Sequence, residues 1–284
     1  MKVNHEDGDL NATAFSKALG MIRNARSRQN MLETWRLFEH NPLLPLGALG
    51  QWDEVCASWG SIVHTAPSDW RMYYSGRDRN GLLRIGLALS ENGIDWKKYV
   101  NNPIVDIGNL RDWDSRYVYC PVVWVEDSCW MMIFTGCNSS DHYQIGVASS
   151  DDGITSWSKS ERNPVFCDSA DPVRKNAFGM PETEGWGLMK QNGRYLLLYN
   201  SVTIKPREVY VAESTDLFSW RRALPAPLLS SEGTPSDLGY MKYCAWPHST
   251  GQHYLIFAAT SNGNYAKSAI GLWKTSSLLS GERP

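Results

Sequence analysis

Short apolar segments recur along the whole chain, and each is bounded by Gly, Asn, Asp or Pro. A representative stretch reads VVWVEDSCWMMIFTG, followed by QIGVASSDDGITSW. Segments of four to eight residues that are rich in Val, Ile, Tyr, Phe and Trp are typical of β-strands, whereas helices need longer segments with a 3.6-residue period. The pattern therefore predicts meanders of antiparallel strands.

The strand pattern repeats about every 61 residues. Tryptophans mark the period with spacings of 61, 61 and 63 residues, namely Trp35, Trp96, Trp157 and Trp220, and an Asn-Pro pair follows each of the first three. Repeated meanders bury both faces when they pack radially, which is the arrangement of a β-propeller. We therefore predict an all-β propeller of four-stranded antiparallel blades, whose first strands lie innermost and whose entry residues line the axis.

The repeat divides the chain unequally. Four units are clear, and Trp35 with NPLL adds an isolated outer-strand signal before them. We predict a single propeller domain over residues 31–284, preceded by an N-terminal extension or ring-closing segment over residues 1–30. The composition of TAFSKALGMIRNARSR fits a helix and also fits a degenerate blade strand.

Composition and charge exclude several classes of function. The chain has 284 residues, a net charge of −2 and no Lys/Arg run, so neither a nucleic acid nor an anionic membrane is predicted as a partner. Neither a signal peptide nor an apolar segment of about 18 residues is evident, which predicts a soluble cytoplasmic protein. Six cysteines without CxxC spacing predict reduced thiols, and the histidines show no metal-ligand spacing. No nucleotide-binding or metalloprotease motif is present, so we expect neither a cofactor nor a metal.

The repeated S-x-D/N-G-I-x-W, the following NP pair, WRMYYSG and EGWGLMK resemble motifs of the five-bladed propeller glycoside hydrolases. This superfamily contains families 32, 43, 62, 68, 117 and 130, and the resemblance covers roughly residues 30–275. It implies five blades, with four as the alternative. EGWGLMK looks like the Glu-Gly motif whose glutamate is the general acid in family 43, which indicates Glu184. Glu182 is the competing candidate, because the repeat spacing aligns it with Pro121 of the preceding unit. In the alternative interpretation one or both glutamates only stabilise a strand end or pair with Arg174 or Lys175.

Glycoside hydrolysis needs a second carboxylate, and the chain offers no clear one. Related hydrolases commonly carry an Asp at the start of the first inner strand, where this chain reads Ser58-Trp59-Gly60. Asp53 is one candidate, although Trp52-Asp53 recurs as Trp113-Asp114 and a repeated feature favours a structural role. Asp171, in an Asp-Pro pair on a connecting loop, is the other candidate.

Other residues that introduce inner strands are candidates for sugar binding. The aromatic candidates are Trp59, Tyr119, Trp186, Tyr243 and Trp246, and the basic ones are Arg116 and Lys242. Aromatic side chains offer stacking surfaces to a small carbohydrate, while packing between blades is the alternative for each of them.

Two functions follow as expectations. The first is a glycosidase-like enzyme that acts on a small saccharide or glycoconjugate through a carboxylate-lined axial pocket. The second is a propeller that binds a sugar or another small molecule without hydrolysing it, or that serves another reaction, because the first-blade Asp is missing.

Overall fold

The computed structural model describes residues 42–170, 175–191, 193–203, 208–227, 229–230, 242–247, 253–260 and 268–275. Trp35, the segment 1–30 and Asp171 lie outside these ranges, so the predictions made for them stay predictions. All regular structure in the described residues is β-strand, with no helix among them. Accordingly, none of these ranges contains a helix of the length and apolarity that would cross a membrane.

Sixteen described strands form four successive units, which we call blades one to four. Blade one has β1 (Cys56–Ala66), β2 (Asp69–Arg77), β3 (Leu83–Ser90) and β4 (Lys97–Lys98). Blade two has β5 (Tyr117–Glu126), β6 (Cys129–Cys137), β7 (Tyr143–Ser150) and β8 (Ser158–Lys159). Blade three has β9 (Glu184–Gln191), β10 (Arg194–Asn200), β11 (Glu208–Ser214), β12 (Arg221–Arg222) and the short β13 (Leu229–Ser230). Blade four has β14 (Lys242–Pro247), β15 (His253–Thr260) and β16 (Ser268–Thr275).

Successive strands within each blade pair antiparallel, except that the short β13 pairs with β11, which confirms the predicted meanders. One parallel bridge, between Leu83 and Tyr117, joins the sheets of blades one and two. The first strands contact one another in chain order, β1 with β5, β5 with β9 and β9 with β14. Innermost strands that follow one another in this way are the arrangement of a β-propeller.

The two repeated motifs form side-chain hydrogen bonds to the backbone, one within a turn and one to strand β3. In blade one the Ser90 hydroxyl accepts from the Gly93 N–H at 2.9 Å, and the Asn92 side chain accepts from the Asp95 N–H at 2.8 Å. The Asn102 side chain accepts from the Leu87 N–H and donates to the Leu87 C=O, both at 2.8 Å. Such local bonds satisfy backbone groups that the short outer strand leaves without ladder partners.

The core lies between adjacent blades. One buried cluster joins blades one and two and includes Tyr73, Leu87, Val118, Met132 and Phe134. A second cluster joins β6 and β7 of blade two to β10 and β11 of blade three. Because blades one, two and three present apolar side chains to one another, burial of apolar area holds these blades together and fixes the positions of their inner strands.

Candidate functional site

Strand register places Ser58, Tyr119 and Glu184 at the same position in blades one, two and three. Their partners on the second strands are Ser75, Thr135 and Asn200 respectively. The predicted alignment of Glu182 with Pro121 is therefore wrong. The connection between β8 and β9 is longer than the one between β4 and β5, so a constant spacing does not carry over to blade three.

Each of these three inner strands is bulged just after that shared position. The regular pairing breaks between Ser58 and Ser61 in β1 and between Tyr119 and Val122 in β5, and in β9 the bulge falls at Trp186. Two of the bulge residues have left-handed backbones, with φ values of 49° for Trp59 and 53° for Cys120. Bulges redirect side chains, and non-glycine residues with positive φ are concentrated at functional sites. The backbone at the starts of these three inner strands thus has the irregular geometry that is common at functional sites.

The carboxylate of Glu184 is the centre of this region. Its side chain is buried, and the Tyr119 hydroxyl donates to Oε1 at 2.7 Å. Asn200 Nδ2 donates to Oε2 at 3.2 Å and also to the Ser201 C=O at 2.6 Å, which fixes the orientation of that amide. The Cys120 thiol lies 4.0 Å from Oε1. Glu184 is therefore held from both sides by groups of its own blade and of the preceding one.

Tyr119 is a neutral donor to this carboxylate. Burial raises the pKa of its hydroxyl well above the usual range, and the charge of Glu184 raises it further. Its ring packs edge-on against Trp59, with centroids 5.6 Å apart, and against Tyr143. A carboxylate with neutral donors and aromatic walls is suited to proton transfer and to accepting hydrogen bonds from hydroxyl groups.

Gly185 allows the strand to pass close to its neighbours at this point. A Cβ atom at this position would lie 2.9 Å from Ile145 Cδ1 and 3.1 Å from Leu197 Cδ1. Just before it, the Thr183 N–H donates to the Tyr143 C=O of blade two at 2.9 Å. The Glu-Gly pair thus allows Glu184 to enter the interface between blades two and three.

Glu182 has a different environment. Its buried carboxylate accepts hydrogen bonds from the Val202 N–H at 2.8 Å, the Thr203 N–H at 2.7 Å and the Thr203 hydroxyl at 2.5 Å. These bonds hold the start of the connection that follows β10. The arrangement favours a structural role for Glu182 and leaves Glu184 as the stronger candidate for chemistry.

Asp53 lies against the outermost strand of its blade. Its buried carboxylate accepts from the Tyr74 hydroxyl at 2.9 Å and from Lys98 Nζ of β4 at 2.5 Å. Asp114 pairs with Lys159 of β8 in the same way at 2.5 Å. In blade three Asp168 takes this role, because it accepts from Tyr199 and from Arg222 of β12. A pairing that recurs in three blades favours the structural interpretation of Asp53.

Comparisons with known proteins point to one fold. No protein-family model matches the chain, and no curated protein matches it significantly. Among solved structures, it is similar to a family 117 glycoside hydrolase from Zobellia galactanivorans, with 15% identity, a TM-score of 0.57 and coverage of 82% of this chain and 70% of that one. It is also similar to a structure from the family 130 mannoside phosphorylases, a family described as containing hydrolases of β-1,2-mannosidic linkages in Candida mannan. The identity is 18%, the TM-score is 0.57, and the match covers 79% of this chain and 69% of that one. The Bombyx mori family 32 β-fructofuranosidase with sucrose is 17% identical, with a TM-score of 0.52 and coverage of 77% of this chain and 46% of that one.

The chain has the fold of the propeller glycoside hydrolases. This is the fold that the motifs indicated, and these identities, all below 25%, establish the fold alone. In this chain Glu184 is the first residue of β9, the inner strand of blade three.

The predicted sugar-binding residues of this propeller are distributed unevenly. Tyr119 contacts Glu184 and Trp59 packs against the Tyr119 ring, whereas Trp186 is buried in the β9 bulge. Arg116 precedes β5, stacks 4.6 Å over the Tyr117 ring and pairs with Asp141. Lys242, Tyr243 and Trp246 belong to β14, which contacts β9, and the structure describes their backbone only.

Sequence reasoning missed two residues of this site, Thr135 and Asn200, which are the second-strand partners of Tyr119 and Glu184. The same position reads Ser75-Gly76, Thr135-Gly136 and Asn200-Ser201 in the three blades, so a repeat alignment of the second strands was the available signal. Within the described residues, no group of three or more His, Cys, Asp or Glu side chains is arranged to hold a metal ion.

Proposed function

We propose that this propeller is a glycosidase-like enzyme acting on a small saccharide or glycoconjugate, with Glu184 as its general acid. The observation that carries the proposal is the buried Glu184 carboxylate at an inner strand entry, with donors on both oxygens. Support comes from the fold, which is shared with a family 117 hydrolase and with a fructofuranosidase bound to sucrose.

The surroundings of Glu184 suit proton donation to a departing sugar oxygen. When the acid gives up its proton, it becomes a carboxylate, and the donors Tyr119 and Asn200 are already placed to stabilise that charge. Donors that are oriented before the reaction lower the energy of a charge that develops in the transition state. The separation between Glu184 and a second carboxylate would decide whether configuration is retained or inverted, at about 5–5.5 Å or about 6.5–9.5 Å respectively.

Glu184→Gln and Glu182→Gln form a matched pair for testing the proposal. Both changes replace a buried carboxyl group by an amide of the same shape, two residues apart in the chain. With a panel of 4-nitrophenyl glycosides, we expect Glu184→Gln to lower turnover by about 10²–10⁴-fold, the usual contribution of a general acid. We expect Glu182→Gln to lower the melting temperature while turnover by the folded protein persists. Undiminished turnover in Glu184→Gln would refute the assignment.

One observation favours a second candidate, a sugar-binding propeller without hydrolytic activity. Ser58 occupies in blade one the register position that Glu184 occupies in blade three, and it is not an acid. Hydrolysis by two carboxylates needs a base or nucleophile as well as an acid. Calorimetric binding of a sugar by the wild type and by Glu184→Gln, with no product after long incubation, would support this candidate over the enzyme.

A further inference from the structure

A hydroxyl group on the second strand of one blade holds the bulged inner strand of the next blade. In blade one, the buried Ser75 Oγ accepts from the N–H of Cys120, the left-handed bulge residue of β5, at 3.0 Å. In blade two, the buried Thr135 Oγ1 accepts from the Gly185 N–H at 3.1 Å and donates to the Gly185 C=O at 3.3 Å. Ser75 and Thr135 hold the same register position, so the two contacts are one repeated device.

The bulges explain why this device is needed. A bulge interrupts the regular ladder between an inner strand and its own second strand, so backbone groups there need partners outside that ladder. The irregularity in β9 lies between Gly185 and Gly187, and Thr135 supplies a donor and an acceptor to Gly185 from across the blade interface. Thr135 thereby fixes the peptide that follows Glu184.

Blade two holds both the side chain of Glu184 and the backbone of Gly185. Tyr119 and Thr135 are directly opposite each other in β5 and β6, and they contact Glu184 and Gly185, which are adjacent in β9. If the Gly185 backbone moved, the Glu184 carboxylate would move relative to the Tyr119 hydroxyl. A displacement of about 1 Å in a catalytic group can lower a rate about 100-fold.

We infer that Thr135 is a positioning residue for Glu184, holding its backbone through Gly185 from the neighbouring blade. The inference rests on the proposed function for its catalytic consequence, while its geometric content is independent of turnover. Blade three departs from the rule, because its equivalent residue, Asn200, turns to Glu184 and Ser201.

Three variants test the inference. Thr135→Val keeps the shape and removes the hydroxyl, and Thr135→Ser restores it. Ser61→Ala is the matched control, because the buried Ser61 Oγ accepts from the Val123 N–H at 3.1 Å, which is the same kind of bond between blades one and two.

Crystal structures and hydrogen exchange of these variants give a readout that needs no substrate. In Thr135→Val we expect the Gly185 amide to exchange at least about tenfold faster, since it loses its acceptor. We also expect the distance from Tyr119 Oη to Glu184 Oε1 to lengthen beyond hydrogen-bond range. Thr135→Ser and Ser61→Ala should retain wild-type values for both. An unchanged distance and amide in Thr135→Val, or equal changes in Ser61→Ala, would overturn the inference.

Kinetics then test the catalytic consequence with any 4-nitrophenyl glycoside that the wild type hydrolyses. Thr135→Val should lower kcat about 10–100-fold with KM changed less than about twofold, because positioning acts on the transition state. Thr135→Ser should recover most of the loss, and a fall in kcat for Ser61→Ala as large as that for Thr135→Val would overturn the positioning role. If the wild type hydrolyses none of the glycosides, the proposed function fails, and the distance and the amide still decide the role of Thr135.

Discussion

Asp53→Asn separates a structural from a catalytic role for the buried acid of blade one, and Asp114→Asn is its matched control. Both acids are buried, and each receives a lysine ammonium from the outermost strand of its blade at 2.5 Å. Asparagine keeps the shape and an acceptor oxygen in both cases. The two substitutions therefore remove one negative charge from equivalent places in consecutive blades.

The size of the effect follows from the environment of the lysines. A hydrogen bond to a charged group contributes about 1.5–3 kcal/mol, and one between neutral groups about 0.5–1.5 kcal/mol. Lys98 and Lys159 are 25% and 27% exposed, so water can partly solvate either ammonium after the change. We therefore expect each variant to lose about 1.5 kcal/mol, or about 3–6 °C in melting temperature for a protein of this size.

Urea unfolding, followed by tryptophan fluorescence, measures the loss in each variant, and equal slopes would show that the unfolded states are comparable. Turnover per folded molecule should stay near wild type in both. A loss of more than about 100-fold in Asp53→Asn, absent from Asp114→Asn, is the size expected for a missing catalytic base and would refute the structural reasoning.

Two further predictions concern repeated and surface contacts. Asn163→Ala should cost about 1–3 kcal/mol, because the side chain accepts from the Val147 N–H at 2.8 Å and donates to its C=O at 2.9 Å; an unchanged urea midpoint would contradict this. Hydrogen bonds, chiefly from Arg79, lower the pKa of Glu54 to about 2. Because this folded-state pKa lies below the unfolded one, the contribution is complete above about pH 4.5 and is lost as the pH falls toward 2. Glu54→Gln should therefore lose less melting temperature than the wild type between pH 5 and 2, and parallel curves for the two proteins would exclude the effect.

Local contacts explain how much of the fold was predictable from sequence. The S-x-D/N-G turns and the NP pairs rest on bonds within one repeat unit, such as Ser90 with Gly93 and Asn102 with Leu87. Because the same bonds recur in each unit, the same residue types recur in the sequence, and the strands and their order can be predicted from that repeat. The strand register of β9 depends on the length of the connection that precedes it, which no repeated residue type reveals. The repeat spacing therefore aligns Glu182 with the wrong residue of blade two.

The candidate site was predictable only in part, for a related reason. Glu184 was found through the Glu-Gly pair, which has a steric cause at Gly185. Tyr119 was predicted as a surface for sugar stacking, whereas the structure shows its hydroxyl donating to Glu184. Thr135 and Asn200 act through contacts formed only when the blades and strands are assembled; the repeat alignment of the second strands marks their position but not these contacts. The catalytic role of Glu184 and the sugar-binding role of Tyr119 stay predictions.

The contact of Thr135 and Tyr119 with the Glu184–Gly185 pair also bears on how the chain can be divided. Blade two carries Tyr119 and Thr135 and blade three carries Glu184, so neither unit holds the whole candidate site. Cutting the polypeptide between these blades would give two fragments that regain the arrangement only by reassembling. Duplication of blade two, by contrast, would copy Thr135, which anchors the following blade, together with β5, whose bulge is held by Ser75 of the preceding one. A chain built in this way can gain a blade whose hydrogen bonds to its neighbours are already encoded in the copied sequence.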